Sequence, residues 1–491
     1  MSHTPSKYQA AVYHFIEEGK GNAVVDAVAG SGKSTTLVEA LKKIPAHQSV
    51  IFLAFNKAIV EELKIKVGKM PNVTIMTLHG LGSKTVNRSL WATEINADKY
   101  KSFIYKADAQ GYLIPDCDLE HAELKEYKSN ILQLIDLCRV NLVNDKDRAK
   151  ELADKHGLHL LSNEIKYTFK AIKWGLANED EIDFTDMIFF PIIKKMRVEQ
   201  YDWVFIDECQ DLNTCQRELF LKCLKPTGRF IAVGDPQQAI YGFAGADVES
   251  FKILQNLPNT INLPLSVCYR CAEDIIKLAK SIVPHIEARE GAPKGIINKR
   301  AVLSDIEDGD MILCRLVSPL VDVCMGYIKQ GIKAYIKGGD IGANLVRMIQ
   351  NTNRDLMEDV LHALDKELAK IAAKYAKSTG CDLGTAKESN AYRSYEDKVR
   401  AIEIISGDIT GSSSVVNRIL SIFNDKAQGI CLATIHKSKG LECERVFILC
   451  PDKMMLDRAM QIEWMAEQER NLVYVAYTRA KSYLGFITDY E

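Results

Sequence analysis

The chain lacks any run of about 18 apolar residues that could span a bilayer. Its opening residues, Met-Ser-His-Thr-Pro-Ser-Lys, contain no apolar stretch of the kind a secretory signal needs. The expectation is a soluble, intracellular protein without a membrane partner. An excess of one charge is also missing, since 63 basic and 65 acidic residues leave a formal net charge of -2. That balance neither announces nor excludes a nucleic-acid partner, because a local basic groove can sit within a neutral total. A disulfide pattern is lacking too. The 13 cysteines are scattered singly through apolar runs, as at Cys314 and Cys431, and their number is odd. Buried reduced thiols explain them better than a disulfide framework. Cys268 and Cys271 form a C-x-x-C, but no second pair stands at metal-site spacing.

What is present is ordinary in bulk and specific in detail. With 491 residues, 47% hydrophobic and 26% charged, the chain exceeds one core and predicts two to four domains. Residues 24–36, Val-Val-Asp-Ala-Val-Ala-Gly-Ser-Gly-Lys-Ser-Thr-Thr, organise the rest. Ala23–Val25 reads as a buried strand, and Ser34–Lys42 carries helical spacing. A strand, a glycine loop and a helix in that order make a phosphate cradle. Gly30 and Gly32 let backbone amides face an anion, and the helix N-terminus favours it. Lys33 would reach the β/γ-phosphates, and the Ser34 hydroxyl would be a Mg2+ ligand. The pattern G-x-x-x-x-G-K-[ST] wants glycine at position 27, where Ala27 stands. A glycine turn with an exposed lysine is the competing reading.

Further strands at Ser49–Ala54 and Val73–Met76 alternate with helices, which predicts a doubly wound parallel sheet with ligands at the strand carboxyl ends. Phe55, Asn56, Thr77 and His79 fall at such ends. Ser6–Glu18 reads as an amphipathic helix, on which Gln9 alone would be a solvated amide. From about Ser89 to Ala177 strand signals disappear. His121–Arg139 and Asp145–Lys155 carry helical periodicity, so a helical subdomain is inserted here. Asp183-Phe184-Thr185-Asp186 then returns to the sheet domain. The strand Trp203–Ile206 delivers Asp207 and Glu208 to the edge where the cradle opens. Asp207 would hold the Mg2+ shell, and Glu208 would orient or deprotonate an attacking water. A solvated acidic turn is the weaker alternative. Phe230–Val233 is followed by Gly234-Asp235-Pro236-Gln237-Gln238, then by Tyr241 and Phe243, aromatics that suit either a core or a stacked base.

A second sheet is predicted from Met311–Cys314, Lys333–Lys337, Ile430–Thr434, Val446–Leu449 and Tyr483–Ile487. Between its strands lies a lysine-rich helical stretch with a Gly/Ser segment at its end. Its charge run Lys366–Lys377 reads as a solvated helix face.

In this order the segments resemble the superfamily 1 DNA helicases of the UvrD/Rep/PcrA group, over nearly the whole chain. Tyr269-Arg270 is similar to the family's Tyr-Arg motif. Thr434–Glu442 matches T-x-H-x-x-K-G-L-E, and Glu469–Ala480 matches E-R-x-L-x-Y-V-x-x-T-R-A. Gly-Asp-Pro-x-Gln and Phe55-Asn56-Lys57 lean toward the branch of the F-box DNA helicases and small phage helicases, although no F-box segment is apparent. The resemblance implies an α/β fold of two RecA-like parallel-sheet P-loop domains with helical insertions. Their bounds would be 1–88 with 178–270, an insertion at 89–177, then 271–341 with 412–491, and a short insertion at 342–411.

It also implies ATP and Mg2+ as cofactors, bound in a cleft between the sheets. Gln9 would read adenine, with Tyr269 stacked on the base and Glu442 on the ribose. Ala29, Gly30, Ser31, Gly32, Lys33, Ser34 and Thr35 would hold the phosphates. Gln238 would sense the γ-phosphate, and Arg270 and Arg479 would act as fingers. Phe55, Asn56, Thr77, His79, Tyr241, Phe243 and His436 would contact the strand. The implied activity is ATP-dependent DNA unwinding by a motor moving 3′ to 5′ on single-stranded DNA. Its substrates would be single strands and single/double-strand junctions, with replication or repair proteins as further partners. Its place would be the cytoplasm or nucleoid, or the host cytoplasm for a viral protein. A translocase that strips proteins from DNA, a nucleotide-switched binding module and an RNA strand stay open as alternatives. Phe243-Ala244-Gly245-Ala246 departs from the family's usual Trp-Arg-Gly-Ala and removes a charge.

Overall fold

The computed structural model describes residues 5–90, 94–119, 121–158, 160–240, 249–455 and 463–489. Contacts divide the chain into two units, Met1–Val28 with Gly32–Ser266 and Ala29–Ser31 with Val267–Glu491.

In the first unit β1 (Asn22–Ala27), β2 (Val50–Ala54) and β3 (Val73–Thr77) come first. A two-residue pair, β4 (Glu94–Ile95) and β5 (Glu181–Ile182), brackets the helical insertion. Then β6 (Tyr201–Ile206), β7 (Leu224–Gly234) and β8 (Thr260–Leu265) complete the main sheet. Its order is β3-β2-β6-β7-β1-β8, and every pairing is parallel. The central strands are apolar on both faces because both faces are covered. Val24, Ile51, Leu53, Val204, Ile206 and Ala232 join one core. Their strand neighbours Val25, Phe52, Phe205, Ile231 and Val233 join the other. This is the two-residue alternation of a strand, read through to two cores.

Strand β8 was not expected. Its residues, Thr-Ile-Asn-Leu-Pro-Leu, have no continuous apolar run, and Pro264 argues against a central strand. An edge position resolves this, because proline is tolerated where only one neighbour needs pairing.

The insertion holds the helices Lys99–Ala109, His121–Val140, Lys146–Lys155 and Glu164–Ala177. The short strand β4 corrects the expectation that this region carries no strand. A buried ionic cluster fastens the insertion to the helix Asp186–Ile193. Lys99 and Asp186 are fully buried, and Arg139 is 1% exposed. Lys99 Nζ donates to Asp186 Oδ2 at 2.8 Å and to the carbonyls of Gly175 and Asn178. Arg139 donates to Asp186 Oδ1 at 2.8 Å and grips both Asp183 oxygens, at 2.9 and 2.7 Å. Burial and the neighbouring Asp183 push the Asp186 carboxyl up, against the pull of Arg139 and Lys99.

In the second unit β9 (Val267–Cys268) and β10 (Glu287–Ala288) form a short parallel pair. The main sheet contains β11 (Ile296–Asn298), β12 (Met311–Cys314), β13 (Ala334–Lys337), β14 (Ile430–Thr434), β15 (Cys443–Leu449) and β16 (Ala480–Ile487). Its order is β11-β16-β15-β12-β14-β13, again parallel throughout. Strand β11, only three residues long, adds an edge that the sequence pattern did not signal. Five helices between Gly339 and Ile422 fill the interval between β13 and β14. The helix Met357–Thr379 exposes Lys366, Lys370 and Lys377, as a solvated face should.

All thirteen cysteines are free thiols. Among the described residues no helix is long and apolar enough to cross a membrane.

Candidate functional site

The carboxyl edge of the first sheet carries the phosphate loop. Gly30 and Gly32 have φ of 67° and 77°, the left-handed region where a side chain is strained. Gly32 caps the helix Lys33–Leu41, so Lys33, Ser34 and Thr35 form its first turn. Ser31 is buried, and its hydroxyl has no hydrogen-bond partner among the described residues. A buried orphan hydroxyl, two left-handed glycines and a helix N-terminus together fit a phosphate chain. Ala27 explains its own departure from the glycine pattern. It is fully buried as the last residue of β1, its Cβ belongs to the core, and its carbonyl lies 3.5 Å from Lys33 Nζ.

The acids arrive from β6. Ser34 Oγ lies 3.5 Å from Asp207 Oδ2, and Lys33 Nζ lies 4.0 Å from Glu208 Oε1. Glu208 has φ 55° and ψ 40°, a costly conformation for a non-glycine residue, of order 1–3 kcal/mol. Its N–H donates to Asp207 Oδ1 at 2.9 Å. Burial, with the Glu208 charge beside it, pushes the Asp207 carboxyl up to about 6. A divalent cation there would restore its ionised form. An adjacent hydroxyl and carboxylate suit Mg2+, which keeps several waters and takes phosphate oxygens. Among the described residues no group of three or more His, Cys, Asp or Glu is arranged to hold a metal. A magnesium ion held by Ser34 and Asp207 would take further ligands from water and phosphate, as this ion usually does.

From the end of β7, Asp235 is fully buried, and burial pushes its carboxyl up to about 6. Its Oδ2 accepts from Gln238 Nε2 at 2.6 Å. Gln9 is 4% exposed, which corrects its reading as a solvated amide. Its Oε1 accepts from Ser6 N–H at 3.0 Å, closing a capping box. Its Nε2 donates to Thr36 Oγ1 at 3.1 Å, on the helix that follows the phosphate loop.

Within the second unit, Tyr269 N–H donates to the Gly30 carbonyl and Ala29 N–H donates to Tyr474 Oη, both at 2.8 Å. Arg270 Nε donates to Glu442 Oε2 at 2.7 Å, and Lys481 holds the other oxygen of Glu442 at 2.8 Å. Arg479 is 1% exposed and donates to the carbonyls of Val475 and Leu441, each at 3.0 Å. Its guanidinium thus ties the turn before β15 to the helix Glu463–Tyr477. Sequence reading missed Arg315, which follows β12 and pairs with Glu469 at 3.0 Å. An arginine directly after a buried strand was the available signal.

Of the residues expected to meet a strand, Phe55 is 45% exposed at the end of β2. Asn56 Oδ1 accepts from Ile59 N–H and caps the helix Lys57–Val67. Thr77 Oγ1 accepts from Gly80 N–H. His79 is half-buried, which lowers its pKa. Burial, then Arg315 and Lys437, lower that of His436 to about 3, so this ring is neutral near pH 7. Tyr241 and Phe243, with Ala244, lie outside the described residues. Phe184, absent from the expected set, is 57% exposed between the buried Asp183 and Asp186. Its acidic flanks hid it as loop punctuation.

Parallel sheets with a phosphate loop on the first define an α/β nucleotide-binding protein of the P-loop class. Residues 7–259 match the UvrD/REP helicase N-terminal domain, and residues 388–490 match the UvrD-like helicase C-terminal domain. The chain belongs to the UvrD-like helicase family, of superfamily 1. It is 24% identical over 498 residues to F-box DNA helicase protein 1 of Schizosaccharomyces pombe, covering 94% of this chain and 55% of that protein. It is 24% identical over 516 residues to F-box DNA helicase 1 of Gallus gallus, covering 97% and 48%. With ATP-dependent DNA helicase PcrA of Staphylococcus epidermidis it shares 24% identity over 301 residues, covering 57% and 40%. The chain spans about half the length of the curated relatives it matches.

Proposed function

We propose that this protein is an ATP-dependent DNA helicase that moves 3′ to 5′ along single-stranded DNA and separates duplex ahead of it. One observation carries the reading: a single sheet edge gathers Lys33, Ser34, Asp207, Glu208 and the Asp235–Gln238 turn around the phosphate loop. Lys33, resting on the Ala27 carbonyl and near Glu208, would exchange these partners for the β/γ-phosphates. Ser34 and Asp207 would hold Mg2+, whose chemistry is to neutralise charge on the phosphates. Glu208 would orient the attacking water and take its proton. Gln238 would answer to the γ-phosphate, and Arg270 and Arg479 would supply positive charge to it. Gln9, Tyr269 and Glu442 would meet the nucleoside. The domain bounds given above belong to the same proposal.

Phe55 and the exposed Phe184 would stack on bases, alongside Tyr241 and Phe243, with Asn56, Thr77, His79 and the neutral His436 on the backbone. Stacking of this kind is sequence-tolerant. Relatives named as DNA helicases support DNA as the strand. The test is unwinding of duplexes that carry a single-stranded overhang on one end. Separation from a 3′ overhang and little from a 5′ overhang is the expected result. The opposite preference would overturn the assigned direction.

A further inference from the structure

Gln210 lies on the short turn Cys209–Asp211 that follows the strained Glu208, and it is 2% exposed. The roles proposed above leave this residue out, yet its amide is wholly engaged inside the site. Its Nε2 donates to Glu208 Oε2 at 2.5 Å and lies 3.5 Å from Asp211 Oδ2. Its Oε1 accepts from the backbone N–H of Asp235 at 3.0 Å. The Glu208 carboxylate is therefore approached by two donors of different kinds. On Oε1 stands the Lys33 ammonium, at 4.0 Å, which phosphate would draw away. On Oε2 stands a neutral amide fixed from behind by Asp235.

The sequence makes room for that amide. Gly234, the last residue of β7, has no side chain where a Cβ would run into Gln210 Oε1 and come within 2.9 Å of Cys209 Sγ and 3.2 Å of Gln210 N. Asp235 continues the chain of contacts, since its Oδ2 accepts from Gln238. The path Gln238–Asp235–Gln210–Glu208 is continuous and buried except at the Glu208 end.

We infer that Gln210 is a positioning residue that holds the Glu208 carboxylate in the orientation needed to take a proton from water, and ties that orientation to the Asp235–Gln238 turn. The inference rests on the assignment of Glu208 above. A small misplacement of a reacting group costs rate rather than binding.

The test is ATP hydrolysis in the presence of a single-stranded oligonucleotide. Gln210→Met keeps the volume and removes the amide, and kcat is expected to fall about ten- to hundredfold. Affinity for a non-hydrolysable ATP analogue should stay within about twofold. On a Glu208→Gln background the same change should cost less than about twofold more, because residues acting as a unit are not additive. Gly234→Ala should reproduce the kcat loss by displacing the amide. Gln210→Glu keeps an acceptor for Asp235 N–H but has no donor when ionised. Its turnover relative to wild type should therefore rise as pH falls from about 8 to about 6, where the introduced acid regains a proton. Full turnover in Gln210→Met would overturn the inference. So would an equal loss of nucleotide affinity, or an undiminished loss on the Glu208→Gln background. Normal turnover in Glu208→Gln alone would instead remove the assignment underneath, so that control tells the two failures apart.

Discussion

Glu208→Gln is expected to lower steady-state ATP turnover by about 10²- to 10⁴-fold, the usual range for loss of a positioned general base. Nucleotide binding should survive. The substitution keeps the size of the side chain and removes its basicity, and the proposed contacts to phosphate come from Lys33 and the loop instead. The backbone at Glu208 strengthens the expectation. A left-handed, non-glycine residue is sustained only where its surroundings hold it, here through Asp207 Oδ1 on its N–H and Gln210 on its carboxylate. Binding measured with a fluorescent ATP analogue, beside turnover, separates the two effects. Turnover near wild type would remove Glu208 from the chemistry. Loss of binding in step with turnover would make it a structural residue.

Asp186→Ala is expected to lower the stability of the first unit by about 3–5 kcal/mol, the cost of breaking a buried ionic group on one side. The magnitude follows from what is left behind. Lys99 and Arg139 would lose a shared carboxylate in a place that water does not reach. Lys99 would keep two carbonyls, and Arg139 would keep Asp183. Tyr100 Oη would also lose its acceptor. Urea unfolding followed by tryptophan fluorescence reads the change, because Trp174 stacks on Phe103 within the insertion, with ring centroids 4.3 Å apart. A shift below about 1 kcal/mol would place the cluster among ordinary surface pairs.

The two effects mark where the sequence was transparent and where it was not. The phosphate loop, the acids after Ile206 and the turn after Val233 were legible because buried parallel strands write themselves as apolar runs. Polar residues that follow such a run must emerge at one edge. Strands β8 and β11 were not legible, since edge strands need no continuous apolar run. The buried cluster was hidden for a different reason. Lys99 and Arg139 are far in the chain from each other and from the pair Asp183 and Asp186, and each alone reads as a solvated charge. Only the fold shows that they neutralise one another. The burial of Gln9 and the part played by Gln210 escaped the sequence in the same way. An amide has no hydropathy signal to announce burial, and its importance lies in who holds each end. The roles of the second-unit arginines came from motif resemblance, and the contacts that hold Arg270 on Glu442 and Arg479 on main-chain carbonyls were invisible to it.

The most direct measurement is steady-state ATP hydrolysis by the wild-type chain with and without single-stranded DNA, using Glu208→Gln as the background. The account predicts strong stimulation by the strand, absent in the variant. Hydrolysis that is indifferent to single-stranded DNA, with nucleotide binding intact, would contradict a strand-coupled motor.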